Sequence, residues 1–210
     1  MGQRGEVDGN AHAGKIDPRR ARYAIGMAYW TKIEGRLAGG DRMGFYVAAV
    51  NGRVAEAALE NDEHPHTDDE FLRHLDRREP WERWRGGMGA GLMDAVVMQV
   101  EEYFSGRLLV FDLPLRFAGT PFQERVWRTL LKIPFGETRT YGDIARAIEK
   151  PTAMRAVGSA NGSNHVPLII PCHRVITSDG KLGGFTGGIG LKRALLAHEA
   201  AIALRRRLAS

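Results

Sequence analysis

Apolar stretches alternate with turn signals in the first third of the chain, and this pattern predicts a small antiparallel sheet. The apolar-rich stretches are residues 23–33, 43–50 and 54–59. They are separated by Gly39-Gly40 and Asn51-Gly52, and an Asn-Gly pair between two such stretches is a strong hairpin signal. We therefore expect these stretches to pair with one another as antiparallel strands.

Two helices are predicted between this sheet and the middle of the chain. The first covers residues 67–77, is entered through Thr67 as N-cap and has acidic residues in its first turn. The second covers residues 92–104, where apolar residues recur at helical spacing. Trp81 and Trp84 lie beside a glycine-rich break between the two helices, and we expect them to be packing or lid residues.

Helix starts dominate the C-terminal half of the chain. Thr120-Pro121-Phe122-Gln123 has the form of a capping box with proline at the first helical position. A further helix is expected over residues 191–204, after a glycine-rich loop. The helix that starts at Thr120 should bury one face, which we expect to consist of Phe122, Val126, Leu130 and Leu131.

Two short helices follow each other closely in this half. Thr140 opens the first, which must end before Pro151. We expect Thr152 to cap the second, over residues 153–160. Such a pair resembles a helix-turn-helix, in which the N-terminal residues of the second helix enter a DNA groove, and here that helix carries Arg155.

Charge divides the chain into two parts. Residues 114–210 contain 15 Lys and Arg against 6 Asp and Glu, a net charge of +9, while residues 1–113 contain 15 against 19, a net charge of −4. A basic module behind a weakly acidic one is typical of proteins that bind nucleic acid. We predict a flexible leader over residues 1–20, an N-terminal α/β domain over 21–113 and a basic C-terminal domain over 114–210.

The chain contains a single cysteine, Cys172, in the sequence Pro171-Cys172-His173-Arg174-Val175. One cysteine cannot form an internal disulfide, and we find no signal peptide or membrane-spanning apolar stretch, so we expect a cytoplasmic protein. The apolar run at residues 166–170 predicts a buried strand that ends at Pro171. Such a strand would present the Cys172 thiol at its end, beside a histidine that could activate it.

In this order along the chain, these motifs resemble the O6-alkylguanine-DNA alkyltransferases, also called methylated-DNA–protein-cysteine methyltransferases. The resemblance extends from residues 99–104 to residues 195–199. His165 departs from it, because relatives often have proline there. The motifs that carry the resemblance are Gly136-Glu137-Thr138, Tyr141-Gly142, Arg155-Ala156-Val157-Gly158, Pro171-Cys172-His173-Arg174-Val175 and Gly183-Gly184-Phe185-Thr186-Gly187-Gly188.

The resemblance implies that an alkyl group moves irreversibly from O6 of guanine, and also from O4 of thymine, to the sulfur of Cys172. It implies that His173 and Glu199 form a relay that removes the thiol proton, with a water between thiol and imidazole. Tyr141 would donate to the leaving base and help to rotate the phosphate. Asn164 would order the turns around the active site.

The resemblance also implies contacts with double-stranded DNA and with the extruded base. Arg155 would fill the gap that a flipped nucleotide leaves in the duplex. The small side chains of its helix would let the helix approach the DNA backbone closely. The implied DNA contacts are Arg155, Tyr141, Thr152, Ala153 and Ala156, and the implied pocket residues are Pro167, Val175, Phe185, Thr186 and Gly183.

The implied fold is α+β, with a ribonuclease H-like N-terminal domain and a mostly helical C-terminal domain. Some family members bind zinc through N-terminal cysteines, which this chain lacks, so we expect no metal and no cofactor. We also expect a monomer. Three alternatives stay open at this stage: a lesion-binding protein without transfer, a helix-turn-helix regulator, and a cysteine hydrolase that uses Cys172 and His173.

Overall fold

The computed structural model describes residues 28–78, 84–86 and 91–209. The predicted leader over 1–20, the first residues of the predicted strand at 23–33, and Trp81 lie outside the described residues. The side chain of Trp84 also lies outside them. The described fold is α+β.

The N-terminal sheet is built from the predicted hairpins. Its strands are β1 (Ala28–Arg36), β2 (Arg42–Val50), β3 (Arg53–Glu60) and β4 (Trp84–Gly86), in the order β3-β2-β1-β4. The first three pair antiparallel, which confirms the prediction. Asn51 and Gly52 have φ angles of 51° and 72°, as a tight hairpin turn requires. The parallel strand β4 was not predicted, because three residues are too few to show a periodicity.

Two helices cover the opposite faces of this sheet: α1 (Asp68–Arg78) and α2 (Leu92–Phe104). Thr67 caps α1 as predicted, since its hydroxyl accepts from the backbone N–H of Glu70 at 3.2 Å. Alternate side chains of β2 face the two helices. Tyr46 and Ala48 pack with Phe71 and Leu75 of α1, while the other face joins the main core with α2.

The C-terminal half starts with three helices: α3 (Pro121–Leu130), α4 (Tyr141–Ala147) and α5 (Met154–Gly162). The capping boxes at Thr120 and Thr140 are confirmed. The predicted apolar face of α3 was partly wrong. Leu131 lies beyond the helix and is exposed, and Trp127 is buried in its place. The indole N–H of Trp127 donates to the carbonyl of Ala160 at 2.8 Å, which ties α3 to α5.

The prediction that Thr152 caps α5 was wrong. The N-cap is Ala153, which makes no side-chain capping bond, and the helix continues to Gly162. The backbone N–H of Ala153 donates to the carbonyl of Lys150 at 2.9 Å. This turn around Pro151 moves the helix start one residue further along the chain and leaves Thr152 exposed.

The predicted strand at residues 166–170 was also wrong, although the segment is largely buried. It forms a compact turn in which the N–H of Ile170 donates to the carbonyl of Val166 at 3.0 Å. Leu168 has a φ of 73°, which no strand residue adopts. Buried strands and buried turns share the same apolar composition, so the composition could not separate them.

A short 3₁₀ helix, Cys172–Arg174, leads into β6 (Val175–Ile176), which pairs in parallel with β5 (Arg139–Thr140). The last helix, α6 (Gly188–Leu208), is longer than predicted. Its His198 joins the two halves of the chain, since Nδ1 accepts from the N–H of Ala38 at 2.8 Å.

The main hydrophobic core contains residues from both sides of position 113. The domain boundary proposed there therefore stays a prediction. In the described part of the chain, none of the helices is both long and apolar enough to cross a membrane.

Candidate active site and nucleic-acid interface

Cys172 starts the 3₁₀ helix and is 4% exposed. Its backbone is held from both sides. Its N–H donates to the carbonyl of Ile170 at 2.8 Å, and its own carbonyl accepts from Nδ2 of Asn161 at 3.3 Å. Burial raises the pKa of the thiol, while the Asn164 side chain and the charge of Lys192 oppose that rise. The resting thiol is therefore protonated at neutral pH, and reaction requires a base.

A cavity of about 350 Å³ lies over Cys172. The Tyr141 ring forms part of its wall, and burial raises the pKa of this phenol, which keeps its hydroxyl protonated at neutral pH. Gly183 has a φ of 67° and leaves room for the Tyr141 hydroxyl, which lies 3.1 Å from where a Cβ would be. The residues that line the cavity are Tyr141, Gly158, Asn161, Gly162, Cys172, Gly184, Phe185 and Thr186.

The expected pocket residues are thus only partly brought together. Phe185 and Thr186 line the cavity as expected, while Pro167 and Val175 do not. Val175 is fully buried in the core, and its carbonyl accepts from Lys192. Gly183 acts on the cavity only through its contact with Tyr141.

His173 and Glu199 are in direct contact inside the protein. Nε2 of His173 lies 2.8 Å from Oε1 of Glu199, and both side chains are 0% exposed. A carboxylate only accepts, so Nε2 carries the proton and Nδ1 carries the lone pair. Burial lowers the pKa of His173 although Glu199 acts to raise it, so the imidazole is neutral. Nδ1 has no hydrogen-bond partner among the described residues.

Glu199 is held by more groups than its histidine. Arg174 donates to it through Nε at 2.9 Å, and the Tyr103 hydroxyl donates at 3.0 Å. The backbone N–H of Gly136 donates to Oε2 of Glu199 at 3.0 Å. Burial alone would raise the pKa of Glu199, but the His173 and Arg174 side chains hold it well below its usual range. The carboxylate is therefore ionised and fixed in place beside the imidazole.

Asn164 orders the turn before Cys172, as the resemblance implies. Its Nδ2 donates to the carbonyl of Ile170 at 2.9 Å, and its Oδ1 accepts from the N–H of Val166 at 3.0 Å. One side chain thus bonds two backbone groups of a buried turn: the N–H of Val166, and the Ile170 carbonyl that also accepts from the N–H of Cys172.

Sequence reasoning missed Lys192, a fully buried lysine on α6. Its ammonium donates to the carbonyl of Val175 at 2.6 Å and to that of Leu182. Burial lowers its pKa to about 8, while the nearby Cys172 acts to raise it. Its position seven residues before Glu199 puts both on one face of the helix, and that spacing could have revealed it. Asn161, Arg174 and Tyr103 were missed as well, although Arg174 belongs to the cysteine motif.

Four of the five residues expected to contact DNA lie at or just before the start of α5, and the fifth, Tyr141, starts α4. Thr152, Arg155 and Ala156 are exposed, and Ala153 is half-buried. Gly158 of the same helix faces the ring of Tyr141 on α4, with 3.8 Å from its ideal Cβ position to the nearest ring carbon. The candidate DNA contacts and the cavity are therefore adjacent. Within the described parts of the chain, no group of three or more His, Cys, Asp and Glu side chains could hold a metal ion.

Comparison with known proteins agrees with this geometry. Residues 121–201 match the family model of the 6-O-methylguanine DNA methyltransferase DNA-binding domain. A methylated-DNA–protein-cysteine methyltransferase of Shigella flexneri is 45% identical over 124 residues, which are 59% of this chain and 70% of that protein. This chain belongs to the methylated-DNA–protein-cysteine methyltransferase family.

Another family member, from Mycobacterium tuberculosis, is 55% identical over 109 residues, which are 52% of this chain and 66% of that protein. The crystal structure of the O6-methylguanine methyltransferase of that organism aligns with a TM-score of 0.66 at 38% identity. It covers 83% of this chain and 94% of the other. A structure described as the same organism's protein in complex with DNA aligns equally well.

Proposed function

We propose that this protein repairs DNA by direct reversal. It takes the alkyl group from O6 of guanine in duplex DNA, and also from O4 of thymine, and transfers it to Cys172 in a single turnover. The observation that carries the proposal is the buried pair of Glu199 with His173, the residue that follows Cys172 in the chain, together with a cavity of about 350 Å³ that Cys172 lines. A cavity of this size suits one flipped base.

The first step is removal of the thiol proton. Nδ1 of His173 carries the lone pair that takes this proton, through a bridging water, since among the hydrogen bonds of the described residues none joins the sulfur to the imidazole. The resulting imidazolium is stabilised by the carboxylate of Glu199, which Arg174 and Tyr103 keep ionised and oriented. The thiolate is the competent nucleophile.

The second step is displacement at carbon. The sulfur forms a bond to the alkyl carbon while the bond from that carbon to O6 breaks, and the electron pair passes into the purine. The hydroxyl of Tyr141 donates to the developing anion, and its raised pKa keeps the proton available. The proton taken by His173 finally returns to the released base, so the protein ends with a neutral thioether.

Binding to DNA precedes this chemistry. We assign α4 and α5 to a helix-turn-helix, with the exposed Arg155 filling the gap left by the flipped nucleotide. The net charge of +9 over residues 114–210 supports phosphate-dominated, sequence-tolerant binding. The complex of the Mycobacterium tuberculosis protein with DNA supports DNA as the partner. The ribonuclease H-like N-terminal domain, the monomeric state and the cytoplasmic location stay predictions.

The alternatives fit the site less well. A cysteine hydrolase needs a base aimed at its nucleophile from elsewhere in the fold, whereas His173 is adjacent to Cys172 and turned towards Glu199. A protein that only marks lesions, or a regulator, would have no use for a buried cysteine with an ion-paired relay.

The test is incubation with duplex DNA that carries one O6-methylguanine, followed by mass analysis of the intact protein and its peptides. We expect one methyl group per chain, on Cys172, and no further product after one equivalent. Cys172→Ala should abolish transfer and keep DNA binding. Product formation far beyond one equivalent, or methylation at another residue, would contradict the proposal.

A further inference from the structure

One side chain at the start of α5 is large and apolar, whereas its exposed neighbours are small or polar. Met154 is the first residue of the helix and is 53% exposed. Its exposed neighbours include Thr152, Arg155 and Ala156. Large hydrophobic side chains are exposed at several places in the described part of the chain, but Met154 is the one that lies on α4 or α5. An unbranched apolar side chain is therefore exposed on the surface that we assign to DNA, directly beside Arg155.

Met154 lies between the starts of α4 and α5, one helical turn from the cavity over Cys172. Its sulfur lies 3.6 Å from where a Cβ of Gly142 would be, so it reaches the start of α4. Gly158 lies four residues further along α5 on the same face, about 6 Å along the helix axis. Gly158 lines the cavity and faces the ring of Tyr141. A duplex whose flipped base occupies the cavity therefore lies against this end of the two helices.

The groups around Met154 carry the charge that duplex DNA attracts. Arg155 follows it in the chain and is exposed. Nη1 of Arg146 lies 3.5 Å from the same Cβ position of Gly142, and the Arg146 side chain, which pairs with Asp143, is 66% exposed. Guanidinium groups bind phosphates, but a thioether does not. Its chemistry suits the apolar faces of bases, and proteins that bend or open DNA insert apolar side chains, methionine among them, between base steps.

We propose that Met154 is an apolar wedge, which inserts beside Arg155 into the base stack where the nucleotide has been flipped out. This proposal rests on the proposed function. The two side chains have different tasks. The guanidinium of Arg155 can hydrogen-bond to the bases that border the gap, whereas the flexible thioether of Met154 fills irregular apolar space and excludes water from the unstacked base. Since Met154 releases no counterion, its loss should weaken binding without changing how the affinity depends on salt.

The first test measures single-turnover transfer from a duplex with one O6-methylguanine, at protein concentrations below saturation. Met154→Gln keeps the length of the side chain but makes it polar, and should slow transfer about tenfold because the apolar contact with the base is lost. Met154→Leu keeps an apolar contact and should stay within about threefold of the parent. Both variants should react with free O6-benzylguanine as the parent does. This substrate needs no flipping and reports whether the fold and the active site are intact.

Met98→Gln is the matched control. Met98 is the same residue type and is 54% exposed, but it lies on α2, in the other half of the chain. The transfer rates of Met98→Gln on the duplex and on the free base should equal those of the parent. A loss that followed exposed methionines in general would appear in this variant too.

Oxidation by hydrogen peroxide gives a second measurement, because exposed methionines become sulfoxides. It uses Cys172→Ala, which cannot transfer the methyl group, so that the complex with the methylated duplex persists. Met154 and Met98 should oxidise at similar rates in the free protein. The duplex should slow oxidation of Met154 about fivefold or more and leave that of Met98 unchanged.

A third measurement separates a wedge from a surface contact. 2-Aminopurine placed beside the methylated guanine reports unstacking by an increase in fluorescence. Cys172→Ala should produce this increase, and addition of Met154→Gln to that variant should reduce it to less than half.

Four outcomes would overturn the proposal. They are transfer from the duplex at the parental rate in Met154→Gln, an equal loss on the free base, a Met154→Leu variant as slow as Met154→Gln, and oxidation of Met154 in the complex at its free rate. A weaker salt dependence in Met154→Gln would also overturn it, since phosphate contacts would then have been lost. Failure of the parent to methylate Cys172 with the duplex would instead refute the proposed function.

Discussion

Two buried glutamates, one in each half of the chain, bind the same kinds of partner with different consequences. Glu56 contacts His74 at 3.1 Å and Arg78 at 2.9 Å, and Glu199 contacts His173 at 2.8 Å and Arg174 at 2.9 Å. The partners of Glu56 have side chains that are 41% exposed, whereas those of Glu199 are 0% and 7% exposed.

The difference shows that enclosure, and not the choice of residues, separates the two groups, and only the enclosed group suits the relay proposed for Glu199. Water competes for His74 and Arg78, so the Glu56 group fixes α1 against the sheet and is screened by salt. His173 and Arg174 have no such competition. The charge of Arg174 and the hydrogen bonds of both residues act in a medium of low dielectric. Each proton of the group is therefore held at one defined atom.

The sharpest test of this comparison is the pair of substitutions Glu199→Gln and Glu56→Gln. Glu199→Gln removes the charge that stabilises the imidazolium and should slow transfer by about 10²–10⁴, the usual contribution of general acid–base catalysis. Glu56→Gln should leave transfer unchanged and cost stability of about 1–3 kcal/mol. Single-turnover rates and thermal melts measure both effects. Similar losses of transfer rate in the two variants would contradict the comparison.

A second test concerns Arg155, which is exposed near the start of α5. Arg155→Ala should slow repair of a lesion in duplex DNA by about tenfold or more, because unstacking costs a few kcal/mol. The same variant should react with free O6-benzylguanine nearly as the parent does, because the free base needs no flipping. Transfer rates on the two substrates are compared.

Tyr141→Phe is the control for this test, because loss of the donor to the leaving base should slow both substrates. Equal losses for Arg155→Ala on duplex and free base would leave Arg155 as a general phosphate or structural contact.

A third test uses pH. Burial places the pKa of His173 below its ordinary value of about 6.5. The transfer rate should therefore stay constant down to about pH 6.5. At lower pH, once the imidazole is protonated, it should fall about tenfold per pH unit. Glu199 acts to raise this pKa, so Glu199→Gln should move the acidic limb to lower pH, and Glu56→Gln should not move it. Single-turnover transfer rates of the parent and both variants, measured from about pH 8 to about pH 4, locate the acidic limb around the ordinary histidine pKa of about 6.5. A limb that moves to higher pH in Glu199→Gln would show that another group controls it.

The free energy of unfolding should also decrease as the pH falls, because other buried histidines have lowered pKa values. Burial also lowers the pKa of His165 and of His198. An unfolded chain therefore binds more protons than the folded chain below about pH 6.5. The free energy of unfolding should be highest above about pH 6.5 and should decrease as the pH falls below it. Chemical denaturation at several pH values measures this change. A stability that increases on acidification would contradict these directions.

The smallest expected effect concerns metal. Each glutamate–histidine pair resembles part of a metal site, but the described residues contain no third ligand near either. Exhaustive chelation should change neither the transfer rate nor the melting temperature. A stoichiometric metal in the purified protein, or a lower melting temperature after chelation, would refute this expectation.

Most of the local structure could be predicted because it depends on residues within a few positions of one another. The caps at Thr67, Thr120 and Thr140 each join a hydroxyl to an N–H three residues later. The errors occur where a distant contact decides the outcome. Residues 166–170 form a turn in which the Asn164 side chain bonds the N–H of Val166 and the carbonyl of Ile170, and no apolar pattern records such contacts.

In the candidate site, too, residues in local motifs could be predicted and residues that depend on distant contacts could not. Cys172 and His173 could be named from their motif, whereas Tyr141 and Glu199 could be named from the resemblance alone. The only sign of Lys192 was its seven-residue spacing from Glu199. Asn161 was missed because an ordinary polar residue on a predicted helix gives no sign that it will be buried. Their roles depend on the carbonyls of Val175 and Cys172, which reach them only in the folded chain.

The sequence by itself determined the helix starts at Thr67, Thr120 and Thr140, the Asn51-Gly52 hairpin, the basic C-terminal half and the single thiol, because each is a property of neighbouring residues or of composition. Only the tertiary structure decided which glutamate is enclosed together with its partners, as the proposed relay requires. Glu56 and Glu199 are the same residue type and each contacts one histidine and one arginine. Of the two groups, packing excludes water only from the partners of Glu199. Proton positions depend on that exclusion, since the cost of a charge depends on the dielectric around it.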